Sequence, residues 1–345
     1  MSETEVTREG QHGIRPGSQA VSGSSADRRW GRRRRGEQPV VPRAEFTSYY
    51  GQPVINAPVW RSPDIPGYLF LGGLAGASSL LGAGAQLTGR PSLARTAKAG
   101  AFGAGCLSMA ALLHDLGRPA RFLHMLRVFK VSSPMNVGSW LLGAYVPATG
   151  VAAASALTGR VLRLGAAATA GAALLGPAVA AYTGVLISDT AVPAWHDGYP
   201  EMPFVFAGSA ATAAAGLGLL AAPPRENAPA RNLGLFGACL ELAGSHRMTQ
   251  RIGMVAEPYH CGRAGMYMKA GEALTVLGMA GALAARRGRA VGALSGAALL
   301  AASAATRWGV FHAGLASAGD PRYTVAPQRE RLRRRLPATA AEAPR

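Results

Sequence analysis

The chain has 345 residues, of which 49% are hydrophobic and only 16% are Asp, Glu, Lys or Arg, with 45 glycines and a formal net charge of +18. Soluble globular domains carry about 25% charged residues spread over their length; here the charges are few and clustered, which excludes a soluble fold in favour of a membrane protein. Nor does the positive balance describe a nucleic-acid binder, because nine of the 36 Lys and Arg fall in residues 1–43 and seven after residue 320, leaving no basic fold to grip a phosphate backbone.

Residues 1–46, with SGSSADRRWGRRRRGEQPV, have no apolar run after the arginines. They are expected to be a disordered basic tail, and neither a secretory nor a twin-arginine signal. Eight apolar spans follow, near residues 66–88, 97–117, 135–158, 164–188, 202–222, 231–249, 265–285 and 290–312. Each is about 18–25 residues, and at 1.5 Å per residue such a helix crosses a hydrocarbon core of about 30 Å. The mean hydropathy of +0.13 is modest because glycine and alanine score low and the polar ends dilute it. Small residues in runs such as LGGLAGASSLLGAGA let helix backbones approach closely, as in the seams of a membrane bundle. The expected fold is all-α, a polytopic bundle of about eight transmembrane helices over residues 47–320. A second basic tail, residues 321–345, contains RLRRR, which suits an anionic lipid surface.

If both termini lie on one face, the connectors near 50–65, 114–134, 189–201 and 246–264 share that face, and those near 89–96, 159–163, 223–230 and 286–289 lie on the other. All seven histidines, His12, His114, His124, His196, His246, His260 and His312, then belong to the first face or to helix ends touching it. Between residues 44 and 320 the two faces carry ten Lys and Arg each, so only the tails place the first face inside. Cys106 and Cys239 fall inside spans, where small helix-packing residues are expected, Cys261 sits in a connector, and there is no CxxC. The chain is therefore expected to hold no iron–sulfur cluster or structural zinc of its own. Haem is not expected either, because no two histidines lie deep in spans, although His114 and His246 at helix ends could in principle serve.

Polar residues inside the spans are few. Asp64 and Tyr68 are four apart at the start of the first span and share a helix face; Tyr182 approaches the same end of the fourth span as Asp189; Glu241, Glu272 and Arg307 lie within later spans. A charged side chain at the bilayer centre costs about 2.5–3.5 kcal/mol by insertion scales unless it is paired or wet. Function is the default reading, and a buried Glu–Arg pair holding helices together is the structural one. Reducing a quinone takes two electrons and two protons, so it needs donors to both carbonyl oxygens, a protonatable group and a lipid-accessible apolar slot. Tyr, His, Asp and Glu gathered near one face meet that list. A proton-coupled transporter meets part of it, but would favour an inverted repeat that is not found here.

In order along the chain, YYGQPVINAPVW, IPGYLFLGGLAGASSLL, HDLGRPARFLHMLRVFKVSSPMNVGSW and AAYTGVLISDTAVPAWHDGYPEMPFVFAGSAA resemble the NrfD/PsrC family of polysulfide reductase membrane subunits, over about residues 47–275. The resemblance implies a bundle of about eight transmembrane helices without haem. It also implies a ferredoxin-like 4Fe-4S subunit and a molybdopterin catalytic subunit as partners, and exchange of electrons with menaquinone or ubiquinone as a diffusible substrate. Quinone contacts carried over residue by residue fall on Asp64, on Tyr68 where the polysulfide reductase branch has a histidine, and on Tyr182. A later acidic position matches Glu241 in preference to Glu272. LGRPARFLHMLRVF is expected to form a short amphipathic helix with Phe122, Leu123, Leu126 and Phe129 toward the bundle. Its Arg118, Arg121, His124 and Arg127, with Lys130 just beyond, would then face an acidic iron–sulfur partner; the alternative is a connector whose Arg118, Arg121, Arg127 and Lys130 snorkel to lipid headgroups. The chain is thus expected to be the anchoring, quinone-reactive subunit of a formate dehydrogenase- or polysulfide reductase-like complex; a proton-coupled transporter and a purely structural anchor are the alternatives.

Overall fold

Proline and glycine decide where each apolar run becomes helix and where it stops. The computed structural model describes residues 6–7, 10–11, 53–118, 120–285 and 288–335. In chain order its helices are α1 (Asp64–Leu87), α2 (Pro91–Asp115), α3 (Ala120–Met125), α4 (Pro134–Thr158), α5 (Leu162–Ser188), α6 (Pro193–His196), α7 (Met202–Ala221), α8 (Ala228–Ile252), α9 (Glu257–His260), α10 (Gly262–Ala284), α11 (Arg289–Gly319) and α12 (Arg322–Arg335). Pro91 and Pro134 stand at helix N-termini, where a missing N–H is no loss, and Gly159 ends α4 in the left-handed conformation. The second helix starts six residues earlier than its apolar run predicts. Its polar first turn is helical because the Leu93 amide donates to Glu226 Oε2 at 2.9 Å, a carboxylate at the positive end of the helix dipole.

Eight of these helices have 20 residues or more among the described residues, in agreement with an all-α membrane bundle. Six of them, α1, α2, α4, α5, α7 and α11, are long and apolar enough to cross a membrane. The expected sixth and seventh spans, α8 and α10, fall short on composition because α8 carries Arg231, Glu241, Arg247 and Arg251 and α10 carries Arg263, Lys269 and Glu272.

The chain divides into two compact units, residues 59–315 and residues 1–58 with 316–345. Within the second unit, Val6–Thr7 (β1) and Gly10–Gln11 (β2) pair antiparallel, and α12 makes the expected basic tail helical to residue 335, with Arg334 bound to Glu330 at 2.5 Å one turn away. The rest of the expected tail 1–46 lies outside the described residues.

In the large unit, α1 and α7 form the centre: 72% of each apolar window is buried, against 33–39% for α2, α4, α5 and α11. Helix α1 packs on α2, α5 and α7, and α7 packs on α8. The core is largely alanine, and the tightest crossings are made by glycine. A Cβ on Gly208 of α7 would lie 2.6 Å from the Glu241 amide nitrogen and 2.7 Å from Gly237 O, so the α7 and α8 backbones meet there with no side chain between them. Cys106 and Cys239 are exposed, contrary to their expected packing role, because glycine and alanine occupy the contact faces of their helices.

Candidate functional site

Asp64 opens α1 and Tyr68 follows one turn later on the same face. Tyr68 is 1% exposed, and its hydroxyl is hydrogen-bonded to that of Tyr182 on α5. Ser108 of α2 donates to the Tyr68 carbonyl at 3.1 Å, fixing the backbone behind the ring. Tyr182, half-buried, fits against α4 only because residue 138 is glycine; a Cβ there would overlap the phenol.

At the mouth of this arrangement the Asp64 carboxylate meets His114 Nδ1 at 2.8 Å, with the histidine side chain 73% exposed and the aspartate 16%. The Arg61 amide donates to Asp115 Oδ1 at 3.0 Å, so two consecutive residues at the end of α2 hold the start of α1. A surface imidazole therefore leads to a mostly buried carboxylate, one helical turn from a buried phenol pair. The sequence places His114 at a helix end on the Asp64 face and does not show its pairing with Asp64. The signal was present, because a short turn between two spans of similar length returns the end of the second to the start of the first.

The other expected site residues divide. Glu241 and Glu272, weighed as rival matches for one position, line the same cavity of 130 Å³ between α8, α10 and α11, on helices other than those of the phenol pair. Asp189 belongs to neither place: it is an exposed C-cap of α5 whose amide donates to Val185 O at 2.9 Å. Arg307 is fully buried, donates from Nη2 to Phe206 O at 2.7 Å, and lies 3.8 Å over the Phe206 ring. Among the described residues it makes no direct ion pair with Glu241, whose Oε1 instead accepts from Thr306 at 2.7 Å.

The connectors on the Asp64 face are tied together. Trp195 is fully buried, stacks on Trp60 at 5.5 Å and donates from Nε1 to Val310 O at 2.7 Å. The buried Tyr259 hydroxyl donates to Ala194 O at 2.9 Å, and burial pushes its phenol pKa up. Glu201, at the start of α7, accepts from Arg251 Nη2 at 2.7 Å and Nε at 2.9 Å, with Arg247 at 3.6 Å. The Arg251 hydrogen bonds hold the Glu201 carboxyl below the usual carboxylate range, against the opposing effect of burial. With a folded pKa below the unfolded value of about 4.3, this contact contributes stability above that pH and loses it as pH falls through the folded value. Thermal unfolding followed down the acid range is expected to show that decline in the wild type and a flatter profile in Glu201→Gln.

The expected docking helix is shorter than its pattern. Only Ala120–Met125 is helical, because the Asn136 side chain donates to Met125 O at 2.6 Å and accepts from the Lys130 amide at 2.7 Å, holding residues 126–133 as a folded loop. Leu123 and Phe129 are 65% and 60% exposed, so they do not face the bundle as expected; Phe122 and Leu126 are half-buried. Arg118, His124, Arg127 and Lys130 are exposed, and the Arg121 side chain lies outside the described residues.

The family model described as Polysulphide reductase, NrfD matches residues 54–235, 182 of the 345 residues. The match is shorter than the stretch over which the sequence resembles that family. It includes Asp64, Tyr68, His114 and Tyr182 and ends before Glu241. No curated protein is similar enough to match. With an all-helical bundle of membrane-crossing length and a family match over more than half its residues, the chain belongs to the NrfD family, the membrane-integral subunits of polysulphide reductase-like complexes that partner oxidoreductase catalytic subunits.

Proposed function

We propose that this subunit exchanges electrons and protons with the quinone pool at the cluster of Asp64, Tyr68, Tyr182 and His114. The hydrogen-bonded phenol pair carries the reading, because it sets a hydroxyl donor at the half-buried edge of the bundle with a second hydroxyl behind it. Reduction of a quinone to a quinol takes two electrons and two protons, and the donors that hold its carbonyl oxygens must be resupplied with protons. Tyr182 is the direct donor and Tyr68 orients it. The Asp64–His114 couple links the pocket to the water at the helix end. Menaquinone or ubiquinone would enter from the bilayer as a diffusible substrate. The electrons would come from a 4Fe-4S ferredoxin-like subunit fed by a molybdopterin subunit of formate dehydrogenase or polysulfide reductase type, this chain adding no haem or cluster. The test is electron transfer to a menaquinone analogue by the purified complex; full activity in both Asp64→Asn and Tyr182→Phe would rule the site out.

The exposed cations Arg118, Arg127 and Lys130, interleaved with exposed Leu123, Val128 and Phe129, form the surface we assign to the iron–sulfur partner. Arg127→Glu is expected to reduce co-purification of the partner subunits, most strongly at low ionic strength, while the complex that does assemble keeps its quinone activity. Loss of quinone activity in a fully assembled complex would move the segment into the active site.

A further inference from the structure

The cavity between α8, α10 and α11 runs from charge to burial. Lys269, Glu272 and His260 are exposed along its mouth, and Glu241, Thr275 and Thr306 are buried at its inner end. Two polar atoms at that end, Glu241 Oε2 and Thr275 Oγ1, make no hydrogen bond among the described residues. A buried polar atom left unmatched costs about 1–3 kcal/mol, so two such atoms on one wall mark a place built for water. A single water needs about 10–15 Å³ of such space, and the cavity has 130 Å³, room for a file from the mouth to the carboxyl. Beyond Glu241 lies Arg307, fully buried and fixed between the Phe206 carbonyl and ring, with Gly73 of α1 against its guanidinium. The pocket is thus polar and exposed at one end and ends in the buried Glu241, Thr275 and Thr306 at the other.

We propose that this cavity is a hydrated proton-loading pocket in which Glu241 takes up protons through the exposed mouth at Lys269, Glu272 and His260. Its ligand is water carrying a proton; among the described residues no cluster of His, Cys, Asp and Glu here could hold a metal ion. The pocket shares no residue with the phenol pair, so the proposal stands or falls separately from the quinone site.

The test uses the full chain in lipid nanodiscs without quinone. In an infrared pH titration, the carbonyl band of a protonated carboxylic acid should vanish in Glu241→Gln and should shift promptly in D2O. In a background with Cys106, Cys239 and Cys261 changed to serine, Thr275→Cys should react with a water-soluble cationic thiol reagent, and Ala213→Cys, fully buried in α7, should not. If Thr275→Cys fails to fold, Ser245→Cys on the cavity wall takes its place. A cavity cysteine that stays unlabelled while Lys269→Cys reacts, or a Glu241 band that ignores D2O, would overturn the proposal and leave a dry packing defect.

Discussion

Tyr182→Phe should lower quinone turnover by about a hundredfold or more, the range that loss of a positioned proton donor costs, with the complex still assembled. The substitution keeps the ring that fills the space over Gly138 and removes only the hydroxyl shared with Tyr68. With Tyr182 as the proposed donor to the quinone, the effect should fall on kcat. Tyr68→Phe should be milder, since it removes a group that orients the donor without touching the substrate. Asp64→Asn uncouples His114 from the pocket, so it should lower kcat with little change in KM. Steady-state assays of the purified complex with a menaquinone analogue separate the three. Equal kcat values across them and the wild type would place the chemistry elsewhere.

Arg307→Met should destabilise the bundle by about 1.5–3 kcal/mol, the range for a hydrogen bond made by a charged group. Arg307 is 0% exposed and contributes a hydrogen bond to Phe206 O and a cation over the Phe206 ring. Its loss also leaves Glu241 buried without the nearby positive charge. Arg307→Lys should not restore the wild-type value, because an ammonium cannot lie flat on the ring and bond the carbonyl together. The double variant Glu241→Gln/Arg307→Met should lose less than the sum of the single losses. Thermal unfolding of the wild type, Glu241→Gln, Arg307→Met, the double variant and Arg307→Lys in one detergent measures this directly; additive losses would show that the two residues are independent.

Which parts of the site could be read without coordinates follows from sequence separation. Asp64 and Tyr68 are a local pair, and helical periodicity alone puts them on one face. Tyr182 was reached through family resemblance, since nothing local ties it to a residue 114 positions away. The Asp64–His114 contact needs α1 and α2 to dock antiparallel, which the tight turn at 88–90 implies once the spans are paired. Glu241 and Glu272 could not be placed on one cavity from pattern, because both helices are too polar for a lipid-facing stripe to reveal which side faces inward. The docking segment is a shorter helix than its pattern for a local reason: an apolar–basic pattern from 116 to 129 suits a helix, but Asn136 captures the carbonyl at Met125 from outside the segment. The number of long helices was legible from apolar length; the charges of α8 and α10 lie where that length is least informative.

The Gly208–Gly237 crossing sets how the interior can move. With two backbones in direct contact one turn from Glu241, α7 and α8 cannot slide or tilt past each other without separating along the whole seam. An alternating-access stroke, in which one half of a bundle rocks against the other, would have to open that seam on every cycle. On the proton-loading reading proposed above, charge would reach Glu241 with the α7–α8 frame in place.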